Sequence, residues 1–194
     1  MNLNNIEFLG SASKKQSWPN NELPDFLFVG RSNVGKSSCI NALCNRKKLA
    51  YVGNTPGKTR LLNFFCIDNL FNLVDAPGYG YANRNQKEQI LYGEMMEEYF
   101  TQRKELKCMV QIVDLRHKPT HDDVDMIDYA REMHIPVIVV ATKCDKCKSS
   151  EINKLMKQVA ETLQVPLTSV IKFSSEKKIG IELLQEKMNS YLAQ

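Results

Sequence analysis

The sequence predicts a three-layer α/β fold: a mostly parallel sheet with one antiparallel edge strand and helices on both faces. Three observations predict it. From residue 25 onward, apolar runs of strand length alternate with longer segments whose apolar residues recur at helical spacing, the pattern of parallel strands joined by crossover helices. A glycine-rich turn at 30–37 stands directly between the first such strand (26–29) and the first helix (36–44). Asp68-Asn69 joins the strands at 62–67 and 71–74, and so short a connection forces an antiparallel hairpin.

The elements follow in order. A short strand fits 6–9, and the polar stretch 11–24, with Pro19, Pro24 and the lone Trp18, reads as an irregular lead-in. Residues 1–24 are therefore expected to pack on a single domain at 25–194. Beyond the hairpin come a helix at 86–102, strand 108–114, helix 122–133, strand 136–141, helix 151–163, strand 170–173 and helix 180–192. Ile152, Leu155, Met156, Val159 and Leu163 form one helical stripe, and Ile181, Leu184, Met188 and Tyr191 another. These stripes, and Met95, Met96, Tyr99 and Phe100, read as core packing first and as a partner surface second.

Composition excludes several classes. With 194 residues, 43% hydrophobic and 25% charged, the chain is an ordinary globular domain without a membrane span. Residues 1–21 lack a basic start followed by an apolar block, so a cytoplasmic protein with six reduced cysteines is expected. Cys144 and Cys147 have the spacing of a metal or redox pair, but no second pair completes a zinc site. The net charge is +4, with basic clusters at 14–15, 46–48, 103–104, 143–148 and 177–178. A solvated surface accounts for most of these, and a discontinuous face for an RNA backbone is the functional reading.

The chemistry concentrates in a few loops. Gly30, Arg31, Ser32, Asn33, Val34, Gly35, Lys36 and Ser37, followed by Ser38, have the Gly-x4-Gly-Lys-Ser spacing of a phosphate-binding loop. The backbone N–H groups of 33–36 face one point at a helix N-terminus, Lys36 reaches the outer two phosphates, and Ser37 ligates a Mg²⁺ bridging them. This makes the fold a P-loop NTPase. Asp75, Ala76, Pro77 and Gly78 end a strand beside that loop, with Asp75 holding Mg²⁺ through water and the Gly78 N–H approaching a terminal phosphate. Thr142, Lys143, Cys144 and Asp145 resemble the guanine-reading motif of GTPases, where the Asp carboxylate accepts from two guanine N–H groups and adenine would leave it unpaired. Thr142 stands where Asn is usual, and a hydroxyl is expected to bridge neighbouring loops less well than an amide. Phe173, Ser174 and Ser175 resemble the loop that offers a backbone N–H to the base carbonyl. Between helix and hairpin, the loop with Thr55, Pro56, Gly57, Lys58, Thr59 and Arg60, ending at Leu61, is where a first switch belongs, with Thr59 favoured over Thr55 to close on Mg²⁺.

Together the segments GRSNVGKSS from Gly30, TPGKTR from Thr55, DAPGYGYA from Asp75, DLRHKPT from Asp114, TKCDK from Thr142 and FSS from Phe173 resemble the EngB family, also called YihA or YsxC. The resemblance covers nearly the whole chain, and Thr142 looks typical of that family. It implies a Ras-like G domain, GTP and GDP binding with Mg²⁺, and a role in maturation of the large ribosomal subunit through its rRNA and proteins. It also implies an association with cell division and septation; a monomer with no DNA partner is expected.

Two positions bear on rate. Many GTPases orient water with a Gln directly after the Asp-x-x-Gly element, where this chain has Tyr79, so intrinsic hydrolysis is expected to be slow. Lys36 is the main catalytic candidate, and Asn33, beside the inner phosphates, is the candidate to hold K⁺. His117 and His121 invite a metal reading, but Pro119 argues against a helix aligning them, so 114–121 reads as a packing or partner-docking loop. The chain is thus either a GTPase switch on an assembling subunit or a GTP-stabilised interaction module in septation.

Overall fold

The structure, a computed structural model, describes residues 3, 5–50, 61–80 and 86–193. One sheet holds β1 (Ile6–Ala12), β2 (Asp25–Gly30), β3 (Leu62–Ile67), β4 (Phe71–Asp75), β5 (Leu106–Asp114), β6 (Val137–Thr142) and β7 (Val170–Lys172), in the order β1-β3-β4-β2-β5-β6-β7. The helices are α1 (Lys36–Leu43), α2 (Gln86–Gln102), α3 (His121–Glu132), α4 (Ser149–Thr162) and α5 (Ile181–Leu192). The pairs β4/β2, β2/β5, β5/β6 and β6/β7 are parallel, and β3 runs against both of its neighbours. Asp68 and Asn69 both take positive φ (49° and 54°), the conformation of a two-residue hairpin turn that matches strand twist.

The expected antiparallel strand is thus β3, but the outer edge belongs to β1. That strand extends to Ala12 rather than ending at residue 9, because its backbone pairs along the whole of β3 from Ile6 opposite Ile67 to Ala12 opposite Leu62. The lead-in is fastened further along. Arg103 Nη1 donates to the Pro19 carbonyl (3.0 Å), and Asn21 and Asn72 exchange side-chain hydrogen bonds at 2.9 Å.

Both faces of the sheet are covered because every central strand is apolar on both sides. Along β2, Phe26 and Phe28 pack with Ile40, Leu43, Leu184 and Met188 of α1 and α5. Leu27 and Val29 pack with Met95, Tyr99, Ile127 and Val159 of α2, α3 and α4. The helical stripes read from the sequence lie in these two cores.

Arg103 departs from the sequence reading. Instead of joining Lys104 on a basic surface, it is buried, with Nε donating to Asp25 Oδ2 at 2.7 Å. Asp25 is 0% exposed and also accepts from Tyr99 Oη (2.6 Å) and Asn72 Nδ2 (2.8 Å). Burial and the Asp25 charge push the Tyr99 phenol well above its ordinary pKa. A carboxylate this deep needs the guanidinium, since an unpaired buried charge is among the costliest defects in a fold. The network lies at the strand starts and leaves the opposite strand ends free to build a site.

Candidate functional site

The carboxyl ends of β2, β4, β5, β6 and β7 carry the predicted motifs to one edge of the sheet. Asn33 has φ 66° and Gly35 has φ 97° before α1 begins at Lys36. Left-handed backbone at these positions turns the loop so that the first N–H groups of α1 point outward, a ready-made anion site. Ser37 and Ser38 are half-buried in the first turn.

Lys36 and Asp75, buried at 9% and 4% exposure, form an ion pair between the phosphate loop and the end of β4. The amine can serve a phosphate while the carboxylate serves a metal-bound water. Ala76 N–H donates to the Phe28 carbonyl at 3.0 Å, which fixes the 75–78 segment to β2. A Cβ on Gly78 would lie 3.1 Å from the Ser32 backbone nitrogen, so only glycine lets this chain approach the phosphate loop. Mg²⁺, which P-loop GTPases bind with GTP, would meet hard oxygen donors here in the Ser37 hydroxyl and the Asp75 carboxylate, the chemistry it prefers. Among the described residues, no group of three or more His, Cys, Asp or Glu could hold another metal.

Tyr79 is the main surprise. Its ring is 6% exposed in the core under α2 and α3, its hydroxyl donates to Asp123 Oδ1 at 2.7 Å, and it accepts from Gln111 Nε2. Burial, then the Asp123 charge, raise its pKa well above the ordinary phenol value. Asp123 Oδ2 accepts from Thr120 N–H (2.8 Å) and its hydroxyl (2.9 Å), capping α3. The Tyr79 backbone is equally engaged, as Ser32 N–H donates to its carbonyl at 3.0 Å and its own N–H donates to Gly30 O at 3.3 Å. Tyr79 therefore ties the 75–78 segment to the phosphate loop and to α3, and its hydroxyl does not face a nucleotide. Nothing local in the sequence signals this, though Gln111, polar within the apolar run 108–113, is a usable hint.

At the other end of the site, Asp145 is nearly buried and accepts from the Ser174 hydroxyl, which with Lys146 holds its pKa below the usual carboxylate value. An ionised, oriented acceptor is what the two guanine N–H donors require. Ser174 N–H is spent on the Ile179 carbonyl (3.1 Å), so the N–H left for a base carbonyl is that of Ser175. Cys144 is buried, its N–H donating to Phe173 O at 3.2 Å, which brings the β6 and β7 loops together.

Thr142 bridges neighbouring loops with its single hydroxyl. Its Oγ1 lies within hydrogen-bond distance of the Val34 carbonyl in the phosphate loop and 3.0 Å from the Val113 carbonyl on β5. β6 ends directly behind the loop, so a short side chain reaches both. Lys143, at φ 60°, donates to Asn33 O (2.7 Å) and pairs with Asp114 Oδ2 (2.9 Å), lying across the loop. Burial would raise the Asp114 pKa, but Arg116 and Lys143 outweigh it and hold it at about 2.

Residues 57–60, with Thr55 and Thr59, lie outside the described residues, and Leu61 is exposed at the start of β3. The base of that loop is pinned, since Asn41 of α1 bonds both backbone groups of Ala50 at 2.8 and 3.0 Å.

Phosphate loop, acidic strand end and guanine-reading loops on a Ras-like sheet define a GTP-binding protein of the P-loop GTPase class. A family model described as 50S ribosome-binding GTPase matches residues 25–143. The chain is 53% identical over 177 residues to the "probable GTP-binding protein EngB" of Mesoplasma florum, covering 90% of this chain and 89% of the relative. It is 49% identical over 189 residues to its counterpart in Clostridium botulinum, covering 97% and 96%. The crystal structure of a "probable GTP-binding protein engB" superposes with a TM-score of 0.72 at 27% identity, covering 87% of this chain and 98% of that one. The chain belongs to the EngB family of GTPases.

Proposed function

We propose that the chain is a slow, Mg²⁺-dependent GTP switch that acts in the cytoplasm on the assembling large ribosomal subunit and is needed for normal cell division and septation. The observation that carries the ribosomal part is the match over 25–143 to a family described as ribosome-binding. The working unit is 25–194, with β1 fastened to its sheet edge, acting as a monomer on rRNA and ribosomal protein.

Lys36 supplies a point charge to the outer phosphates, and the N–H groups of 33–36 with the α1 N-terminus cradle the inner ones. Ser37, Thr59 and, through water, Asp75 would hold Mg²⁺, which would supply neutralisation of phosphate charge. Gly78 N–H reports whether a γ-phosphate is present, and its release after hydrolysis lets the 75–80 segment move. Asp145, Lys143 and Ser175 select guanine. Slowness follows from Tyr79, whose hydroxyl is occupied by Asp123 and Gln111 and leaves the usual water-orienting position without a polar group. Asn33, exposed on the loop, holds K⁺ where added positive charge would stabilise the transition state, a role that equal turnover in K⁺ and Na⁺ buffers would reject.

Co-sedimentation with isolated ribosomal subunits in GTP, GDP and no nucleotide, with GTPase rates measured with and without particles, tests the reading. GTP-dependent binding to the large subunit with a faster rate is expected, and failure to bind any particle in any state sinks it. The locked Tyr79 also favours a second reading, a GTP-stabilised module in septation, in which particles leave the rate unchanged.

A further inference from the structure

We infer that a cavity of about 500 Å³ between the phosphate loop and the β5–α3 connection is a second site, which seats a backbone phosphate of RNA against the outer side of that loop. The inference rests on the ribosomal reading and adds to it the surface that meets the RNA. One wall is Arg31, Ser32 and Asn33; the other is the 114–120 segment, with Asp123 behind it. That second wall belongs to none of the nucleotide-binding motifs, and it is the segment whose sequence suggested a docking loop.

Charge decides what the cavity can hold. Its two carboxylates are already satisfied within the walls: Asp114 by Arg116 and Lys143 at 2.7 and 2.9 Å, and Asp123 by Tyr79, Thr120 and Gln111. Two cations remain, Arg31 and Lys118, with His117 beside them. Arg31 lines the cavity, and its Nε is buried beside Gly80 without a hydrogen-bond partner. His117 and Lys118 are exposed at the rim, and among the described residues neither side chain has an acceptor. The excess is positive, so a cation or an apolar group is disfavoured and an anion is favoured. The cavity has the size of a small-molecule pocket and exceeds what one phosphate ion needs. Ser32 and Asn33 add a hydroxyl and an amide of the kind that meet sugar hydroxyls and phosphate oxygens in RNA complexes. Its occupant would touch Ser32 and Asn33, residues of the loop that grips GTP, so RNA docking and nucleotide state share a wall.

The test compares wild type with His117→Ala/Lys118→Ala and with Lys118→Gln, using Lys154→Ala/Lys157→Ala as a control that removes exposed charge from α4. Affinity for isolated large-subunit particles and for deproteinised large-subunit RNA is measured in GTP across a salt series, and GTP affinity separately. Both cavity variants are expected to bind GTP within twofold of wild type, to bind particles and RNA several-fold more weakly, and to lose about one unit of the log affinity against log salt slope. The control should keep the wild-type slope. Wild type failing to bind particles would reject the ribosomal reading itself. Wild type binding while the cavity variants bind equally well would reject the cavity alone. An equal loss in the α4 control would reduce the effect to general charge and overturn the site. A loss on particles without a loss on naked RNA would assign the cavity to an acidic protein segment and overturn the RNA assignment.

Discussion

Replacing Tyr79 with Phe separates a structural from a chemical role for the residue that follows Gly78. The change removes one hydroxyl that donates to Asp123 at 2.7 Å and accepts from Gln111. Asp123 keeps its two bonds from Thr120, and Gln111 Nε2 still lies 3.3 Å from Asp123 Oδ1, so neither partner is left wholly unmet. The lost bond ends on a charged acceptor, where hydrogen bonds contribute about 1.5–3 kcal/mol, and the surviving contacts reduce the net cost to roughly 1–2 kcal/mol. For a chain of this size that is a fall of roughly 2–8 °C in Tm, read by thermal unfolding at saturating GDP. Single-turnover GTP hydrolysis is the second readout. A buried, occupied hydroxyl orients no water, so the rate should stay within about threefold of wild type, a change of under 1 kcal/mol in barrier. Its raised pKa adds a sign: phenolate does not form in the working range, so pH–rate profiles of wild type and variant should superimpose up to pH 9. A rate loss of about 100-fold with an unchanged Tm would refute this account and return Tyr79 to the chemistry.

Three further outcomes are expected. Asp145→Asn should cost about 1,000-fold or more in preference for GTP over ATP, measured by competition, because an amide cannot accept from both guanine donors. Arg103→Met should destabilise by about 3–5 kcal/mol in denaturant unfolding, since Asp25 at 0% exposure would be left as an uncompensated charge. Asp114 has a folded pKa of about 2, below its unfolded value, so it contributes stability above about pH 4 that is lost as pH falls towards 2. Asp114→Asn should therefore cost about 1–2 kcal/mol at pH 7, with the gap from wild type shrinking between about pH 4 and 2.

The fold and the phosphate loop were legible for one reason: both are written in short-range pattern. Strand and helix periods, the Asp68-Asn69 turn and the Gly30 to Ser37 spacing each specify a local backbone, and the connection lengths separated the hairpin from the parallel crossovers. What escaped was set by partners far along the chain. Arg103 reads as surface beside Lys104, yet its carboxylate lies 78 residues away at Asp25. Tyr79 reads by motif position as a replacement for a water-orienting residue, while its direction is decided by Gln111 and Asp123, 32 and 44 residues on. β1 was cut short because Gly10 and Ser11 are weak strand formers, and pairing with β3 overrode that weakness.

Thr142 and Lys143 show how base and phosphate recognition become one unit in this chain. A hydroxyl carries one proton, so Thr142 can donate to Val34 O or to Val113 O at any instant, whereas an amide at that position could donate to both. The tie between β6 and the phosphate loop is accordingly weaker than an Asn would make it, and Lys143 makes up the difference by bonding Asn33 O and pairing with Asp114. The side chain expected to lie along the guanine plane is thus also a strut of the phosphate loop. A base stacked on Lys143 would steady the strut and through it Asn33, while Tyr79 holds the same loop from the other side through Gly30 and Ser32. On the proposed roles, guanine selection and γ-phosphate sensing would act on one short segment of backbone, and a partner that pulls on the 114–120 wall would pull on Asp114 and the strut together.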